Sequence, residues 1–233
     1  MEPVAVVIPT LNEAANIGAV IREIPREFSA DIIVADSGST DGTQAAARAA
    51  GARVIDAGKG YGRACAAGAA VADPACHVVA FLDGDGADRS DLIARIVGPI
   101  LDGSHDFVLA SRTRGERELG SMLWHQVLAG RATGWAMGAL YRVQYSDMCA
   151  FRAIERRALE DLHMLEMTYG WNIEMQIRAA QRKLRILEVP LPYRCRAGGQ
   201  SKVAGSFRGT LRAGSQIFST FVRVASANRW RPD

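Results

Sequence analysis

The sequence predicts an α/β fold with a doubly wound, mostly parallel sheet and helices on both faces. Two observations lead to this prediction. Short apolar runs alternate with helical patterns through the first half of the chain, and polar, glycine-containing loops follow the apolar runs. With 233 residues, 48% hydrophobic and 23% charged, the chain suits one large globular domain. In such a sheet, ligands bind at the carboxyl ends of the strands.

Each predicted strand is an apolar run closed by turn-forming residues. The first run, 4–8, ends at Pro9, and the last, 184–189, ends at Pro190 and Pro192. The six predicted strands are 4–8, 31–35, 53–55, 78–82, 106–110 and 184–189. All four of the informative loops in the first half follow such strands.

The predicted helices show apolar residues at helical spacing or runs of alanine. The first ends at Pro25 and the second at Gly51, residues that stop helices. The predicted helices are 17–24, 43–50, 63–72, 92–101, 122–140, 153–162 and 172–183. We expect a charged loop at 111–117 between a strand and the helix-rich second half.

The chain is predicted to divide into a main domain, 1–203, and a basic amphipathic tail, 204–233. Phenylalanine and other apolar residues of 207–230 stand among arginines, which is typical of a helix lying on a surface, although Gly209 and Gly214 weaken the helix. Packing of this helix against the domain and docking on a membrane are both open.

Charge is unevenly distributed along the chain. Residues 189–232 hold eight Arg or Lys and no Asp or Glu, whereas residues 1–188 hold 20 basic and 24 acidic side chains. A segment of this kind is attracted to substrate phosphates, an acidic membrane surface or nucleic acid, or it is simply a solvated basic face.

The four cysteines show no zinc-binding spacing, so free thiols are expected. The amino terminus lacks the features of a secretory signal, and no apolar stretch is long enough to span a bilayer. These patterns predict a cytoplasmic protein that is at most peripheral on a membrane.

An acidic hexapeptide, 83–88, directly follows the apolar run 78–82. Asp83 and Asp85 stand two residues apart at the end of a buried strand, where hard oxygen ligands suit Mg²⁺ or Mn²⁺. The alternative is an acidic turn whose glycines only allow the bend.

Taken together, four strand-end loops carry a resemblance to a known family. They read Pro9-Thr10-Leu11-Asn12-Glu13, Asp36-Ser37-Gly38-Ser39-Thr40-Asp41-Gly42-Thr43, Lys59-Gly60-Tyr61-Gly62-Arg63 and Leu82-Asp83-Gly84-Asp85-Gly86. The set resembles family 2 glycosyltransferases, and within them the dolichyl- or polyprenyl-phosphate sugar transferases, over roughly residues 4 to 203. The resemblance implies the GT-A fold, which binds a nucleotide sugar and a divalent metal at one edge of the sheet.

The resemblance also implies roles for individual residues on the donor side. Pro9, Leu11 and Glu13 would line the nucleoside pocket, Asp36 would reach the base, and Asp83 would lie beside the ribose or the metal. Asp85 would be the firmest metal ligand. Three positions depart from common family patterns: Ser37 replaces a second Asp, Gly84 an Ala, and Leu11 a Tyr that would stack on the base.

Cationic residues in the matching segments are candidates for phosphate binding. Lys59 and Gly60 form either a tight turn or a diphosphate-binding loop. Arg112 and Arg152, which are surface ion-pair residues in an average protein, become candidate phosphate ligands through the resemblance.

Acceptor candidates come from the second half. Asp147 and Glu174 are acids in family-like segments, and a sugar hydroxyl acceptor would need a general base. A phosphate acceptor would need cations instead. The cations and the hydroxyl that fit this need are Arg194, Arg196, Ser201 and Lys202.

We therefore expect an inverting, metal-dependent enzyme that transfers a hexose from GDP-mannose or UDP-glucose to a polyprenyl phosphate. A soluble acceptor is the main alternative. A nucleotidyltransferase would need a glycine-rich basic loop in place of 9–13, and a non-enzymatic nucleotide-sugar or nucleic-acid binder would not need the paired Asp residues. We expect no nucleic-acid partner.

Overall fold

The computed structural model describes residues 3–26, 29–198 and 207–227. The strands are β1 Val4–Thr10, β2 Ala30–Asp36, β3 Arg53–Asp56, β4 Val78–Phe81, β5 Phe107–Ser111, β6 Arg152–Glu155 and β7 Ile186–Pro190. The helices are α1 Ile17–Glu23, α2 Thr43–Ala49, α3 Tyr61–Ala70, α4 Ala94–Leu101, α5 Trp124–Tyr141, α6 Arg156–Asp161, α7 Trp171–Gln181 and α8 Phe207–Ala227.

The seven strands form one sheet in the order β3-β2-β1-β4-β6-β5-β7. All neighbouring pairs are parallel except those of β6, which runs antiparallel to β4 and β5. The register aligns Thr10 with Asp36 and Asp36 with Asp56. The loops that follow the first four strands therefore lie at one edge of the sheet, as predicted.

Alternating side chains of the strands fill two separate cores, one on each face of the sheet. Val7 and Phe81 belong to the core beneath α3 and α7, whereas Val6 and Ala80 belong to the core that includes Ile17 of α1. This two-sided burial is why the strands read as continuous apolar runs. The predicted doubly wound α/β fold is confirmed.

The predicted helix over 153–162 is wrong in its first part. Residues Arg152–Glu155 form β6, and the helix begins at Arg156. Arg152 pairs with Phe81 on one side and Leu109 on the other, so this strand fills the gap between β4 and β5. The periodicity of a short apolar segment next to a helix does not show whether that segment is a strand or part of the helix.

The tail forms α8, and this helix packs on α7. Thr220 and Val224 are buried, and the Thr220 hydroxyl donates to Glu166 at 2.8 Å. The packing alternative thus holds for the carboxyl half of α8, while Phe218 and Val222 stay exposed. The predicted domain boundary at residue 203 falls in a segment outside the described residues and stays a prediction. Within the described ranges, the helices are too short or too polar to cross a bilayer.

Candidate active site

Three carboxylates cluster in the tight turn after β4. Gly86, at φ +79°, allows the chain to turn back, so that the Ala87 amide donates to Asp85 at 3.0 Å and the Asp83 amide lies 3.4 Å from an Asp88 oxygen. Burial, together with the charges of the neighbouring carboxylates, raises the pKa of Asp83 well above its ordinary value, and burial and the Asp85 charge raise that of Asp88. The turn therefore accumulates more negative charge than its own surroundings neutralise.

This turn fits a divalent cation in part. Asp83 and Asp85 offer hard oxygen ligands, but no group of three potential ligands converges on one point among the residues described. Mg²⁺ and similar ions are often bound by one or two carboxylates, with substrate phosphates and water completing the shell. The two predicted metal ligands suit that arrangement. Asp88 was not among the predicted site residues, although it is the third Asp of the same acidic hexapeptide and that position was a signal for it.

The segment after β7 lies across the acidic turn. The Arg196 guanidinium bonds to Glu13 and donates to Asp85 at 3.2 Å, so this predicted acceptor ligand lies against a predicted metal ligand. Arg194 instead pairs with Glu23 of α1 at 2.8 Å and donates to the Asp88 carbonyl. Ser201 and Lys202 lie outside the described residues.

The loops after β1 and β2 are bound tightly to each other. Asp36, fully buried, accepts hydrogen bonds from Thr10, the Gly38 amide and Gln44, and from both the amide and the hydroxyl of Ser39. Burial would raise the pKa of Asp36, but the hydrogen bonds outweigh it and lower the pKa. The structure thus gives Asp36 a loop-organising role, and its predicted contact with the base stays a prediction.

The other predicted donor residues lie along the same edge. Pro9 is buried in β1, Leu11 is exposed beyond it, and Glu13 is buried and receives the Arg196 guanidinium. Gly84 is buried, and a Cβ at this position would lie 2.9 Å from the Thr10 methyl group. An alanine at position 84 would therefore crowd the Thr10 methyl group, which is a reason for glycine here.

The loop 58–63 packs against the loop 166–168. The Gly62 and Arg63 amides donate to the Thr168 and Met167 carbonyls at 3.2 and 3.0 Å, which leaves these two amides engaged within the protein. Gly60 has φ +131°, and a Cβ there would lie 2.5 Å from the Met167 carbonyl oxygen. The turn alternative therefore accounts for Gly60, while Lys59 is exposed at the rim of the site.

Tyr61 connects this loop to the acidic turn. Its hydroxyl donates to Asp83 at 3.2 Å, and burial raises the Tyr61 pKa, so the phenol stays a donor. The sequence analysis gave Tyr61 no role. An aromatic residue in a glycine-rich loop offers no signal of such a contact, because the contact joins segments 22 residues apart.

Arg112 and Asp147 form a bidentate ion pair at the site. Nε and Nη2 of Arg112 each donate to Asp147 at 2.7 Å, and the guanidinium lies 5.1 Å from the centre of the Tyr193 ring. Burial alone would raise the pKa of Asp147, but the hydrogen bonds and charge of Arg112 lower it. Such a bidentate pair fixes Arg112 beside the acidic turn.

Glu188 holds this pair in place. Its carboxylate accepts hydrogen bonds from the Ser146 amide at 2.8 Å, the Ser146 hydroxyl at 2.7 Å and the Asp147 amide at 3.2 Å. The sequence analysis gave Glu188 no role, because these contacts join segments 41 and 42 residues apart.

Two predicted residues lie apart from the cleft surface. Arg152 is fully buried, donates to the carbonyls of Cys149 and Asn172, and lies 5.9 Å from the Phe107 ring centre. Glu174 is also fully buried and accepts from the Leu165 and Glu166 amides and from Arg178. Both residues tie α7 to neighbouring segments, and their predicted ligand roles stay predictions.

Comparison with known proteins matches these features. The model of the family described as "Glycosyl transferase family 2" matches residues 5–162 of this chain. A dolichyl-phosphate hexose transferase of Haloferax volcanii is 35% identical over 99% of this chain and 97% of its own length. An uncharacterized glycosyltransferase of Mycobacterium tuberculosis is 33% identical over 91% of this chain and 94% of its own length.

Solved structures show the same fold. Glucosyl-3-phosphoglycerate synthase from Mycobacterium tuberculosis, in complex with Mn²⁺, UDP-glucose and phosphoglyceric acid, superposes with a TM-score of 0.74 at 25% identity. The match covers 100% of this chain and 81% of that one.

The fold and the site define a nucleotide-sugar-dependent glycosyltransferase with the GT-A fold. Since the family match covers more than half of the residues, the chain belongs to glycosyl transferase family 2.

Proposed function

We propose that this enzyme transfers a hexose, with inversion, from a nucleotide sugar to a polyprenyl phosphate in a reaction that needs Mg²⁺ or Mn²⁺. The leading donors are GDP-mannose and UDP-glucose. Among relatives, a dolichyl-phosphate hexose transferase and a polyprenol monophosphomannose synthase support a lipid-phosphate acceptor. Mn²⁺ and UDP-glucose in the structural neighbour support the metal and a uridine donor.

The observation that carries the acceptor class is the state of Asp147. Its carboxylate is bound by Arg112 and has a lowered pKa, so it is a poor general base. A sugar hydroxyl would need such a base. A phosphate monoester already carries a nucleophilic oxygen anion, and it needs only cations to orient it. Arg112 and Arg196 flank the acidic turn and are suited to that task.

On the donor side, Asp83 and Asp85 would hold the cation, which when bound would neutralise charge on the departing nucleoside diphosphate. Tyr61 orients Asp83, and Glu13 and Asp85 keep Arg196 at the edge of the site. Glu188 keeps the Arg112–Asp147 pair in position. The residues of the chain thus provide charge balance and orientation.

A second candidate is transfer to a hydroxyl of a soluble phosphorylated acid. The structural neighbour contains phosphoglyceric acid, and here the raised pKa of Asp88 makes this carboxylate a candidate base. In that reaction Asp88 would accept the hydroxyl proton.

The two candidates are separated by offering radiolabelled UDP-glucose or GDP-mannose, with Mn²⁺, to undecaprenyl phosphate and to 3-phosphoglycerate. We expect label in the organic-extractable lipid product. Label only in the water-soluble product would refute the lipid-phosphate acceptor.

The matched variants in this assay are Asp88→Asn and Asp91→Asn. Asp91 pairs with Arg89 outside the site and serves as the control. A phosphate acceptor predicts that Asp88→Asn keeps the pH profile of the wild type. Loss of the ascending limb of that profile in Asp88→Asn alone would favour the hydroxyl acceptor.

A further inference from the structure

Helix α5 exposes an apolar stripe along its whole length. Trp124, Leu128, Arg131, Trp135 and Ala139 are spaced by four, three, four and four residues, so they share one side of the helix, and all five are exposed. Trp135 and Leu128 keep 78% and 58% of their surface exposed. We call these five residues the outer α5 face.

The opposite side of α5 is fixed against the active site. A Cβ at Gly134 would overlap the Tyr145 carbonyl oxygen, and one at Gly130 would lie 3.9 Å from an Asp147 carboxylate oxygen. Met137 is buried in the core beneath α7. Because these close contacts fix the rotation of the helix, the outer α5 face is held toward solvent.

The stretch of sequence that carries this face has basic and no acidic side chains. Residues 119–146 contain Arg131 and Arg142 and no Asp or Glu. The nearest acids in sequence are Glu118 before the helix and Asp147 after it. Glu118 accepts a hydrogen bond from the Cys195 amide, and Asp147 pairs with Arg112. Tryptophan and leucine with a basic rim are the composition of a helix that lies at the surface of an anionic bilayer.

A second copy of the chain fits this face less well. In a symmetric dimer each outer α5 face would meet itself, which would bring two Arg131 side chains together without an acid in 119–146 to pair with them. An anionic lipid surface supplies the missing negative charge.

The described carboxyl half of α8 offers less apolar surface for the same purpose. In the described carboxyl half of α8, Thr220 and Val224 are buried and Ile217 and Phe221 pack against the core, while Phe218 and Val222 remain exposed.

We propose that the outer α5 face docks this enzyme on the surface of an anionic membrane. A helix with its side chains is about 10 Å thick. Since the inner side of α5 lies beside Asp147 at Gly130, docking would place the Arg112–Asp147 pair about one helix thickness from the lipid headgroups. The docking face rests on exposure and charge and does not depend on which acceptor the enzyme uses.

The test is co-sedimentation of the full chain with phosphatidylcholine vesicles made with or without phosphatidylglycerol. The wild type is expected to bind the anionic vesicles, and added salt is expected to weaken this binding. The double variant Leu128→Ser/Trp135→Ser should bind at least about tenfold more weakly. Phe218→Ser, a similarly exposed residue on α8, is the matched control and should bind as the wild type does.

Three results would overturn the proposal. The first is unchanged vesicle binding by the double variant, and the second is loss of vesicle binding in Phe218→Ser instead. The third is a wild type that does not bind vesicles but is a dimer in analytical ultracentrifugation, while the double variant is a monomer. Circular dichroism and nucleotide-sugar binding by each variant verify that fold and donor site are intact. Because donor binding and transfer are measured separately, failure of docking is distinguishable from failure of the proposed reaction.

Discussion

Asp85 is the residue on which the proposed chemistry depends most. Its carboxylate lies in the turn after β4, accepts the Ala87 amide and meets Arg196, so it is held in place before any ligand binds. Asp85→Asn removes the charge and retains the shape. We expect transfer to fall by at least about a hundredfold, because charge on the leaving diphosphate loses its counter-ion.

The check for Asp85→Asn is the rate of nucleoside diphosphate release with saturating donor and Mn²⁺. Asp91→Asn is the control, since Asp91 pairs with Arg89 away from the turn. A rate within a factor of about two of wild type for Asp85→Asn would remove this residue from the mechanism.

Asp83 should make both stability and metal binding depend on pH. Burial raises its pKa in the folded protein, so the folded state holds its proton to higher pH than the unfolded state does. The free energy of unfolding of the metal-free protein should therefore fall as the pH rises above about 4, through the raised pKa. Mn²⁺ must displace that proton, so its affinity should rise over the same range.

Urea unfolding and Mn²⁺ titration over roughly pH 4 to 8 measure the two trends. Asp83→Asn is the matched variant, and its stability should depend less on pH in this window than that of the wild type. Identical pH dependence in the two proteins would contradict the assigned cause.

A substitution at Glu174 distinguishes a role of this buried acid in ligand binding from a role in stabilising the fold. It accepts two backbone amides and Arg178 inside the protein. Glu174→Gln should lower the free energy of unfolding by about 1–3 kcal/mol, because the partly buried Arg178 guanidinium loses its carboxylate partner. Retained stability with a raised KM for the acceptor would instead restore the ligand role.

The sequence predicts those site residues whose chemistry is local. Asp83 and Asp85 predict a cation site because paired carboxylates follow a buried strand, and this role stays a prediction. The roles of Tyr61 and Glu188 were not visible, since each acts through a contact with a segment more than 20 residues away. Arg152 reads like a surface cation, and only the pairing of β6 reveals its burial.

At the scale of elements, the start of α3 depends on close approach to the loop 166–168. A Cβ at Gly62 would lie 2.4 Å from the Glu166 carbonyl oxygen. Gly62→Ala should therefore destabilise the protein by about 1–3 kcal/mol through overpacking. In α5, Gly138 has open space around it, so Gly138→Ala should be neutral or stabilising by up to about 1 kcal/mol.

Urea unfolding of the two glycine variants provides the comparison. Equal stability of both would show that the loop 166–168 moves away at little cost. The contact matters for function because the same stretch of chain carries Tyr61, which holds Asp83.

The element prediction succeeded for strands buried on both faces and failed at β6. The parallel strands β1, β2, β4 and β5 are apolar runs followed by turn-forming or polar residues, and these signals fix their position. The four-residue β6 is inserted antiparallel between β4 and β5, and no local feature shows that insertion. Long-range pairing, rather than propensity, makes it a strand.

At the scale of the whole molecule, the acidic turn, the Arg112–Asp147 pair and Arg196 meet although they come from distant parts of the chain. The parallel register brings the first four strand ends together, and the segment after β7 closes over them. The sequence predicted this edge, because topology alone places it. It could not predict which cations would pair with internal carboxylates, since those pairings depend on packing.

The central claim is that Asp83 and Asp85 bind a divalent cation together with the donor. Electron paramagnetic resonance of Mn²⁺, titrated with the enzyme in the presence of UDP-glucose or GDP-mannose, measures the free ion directly. The account predicts that one nucleotide sugar produces tight Mn²⁺ binding by the wild type and that Asp85→Asn abolishes it. Equal donor-dependent Mn²⁺ binding by Asp85→Asn and the wild type would contradict the account.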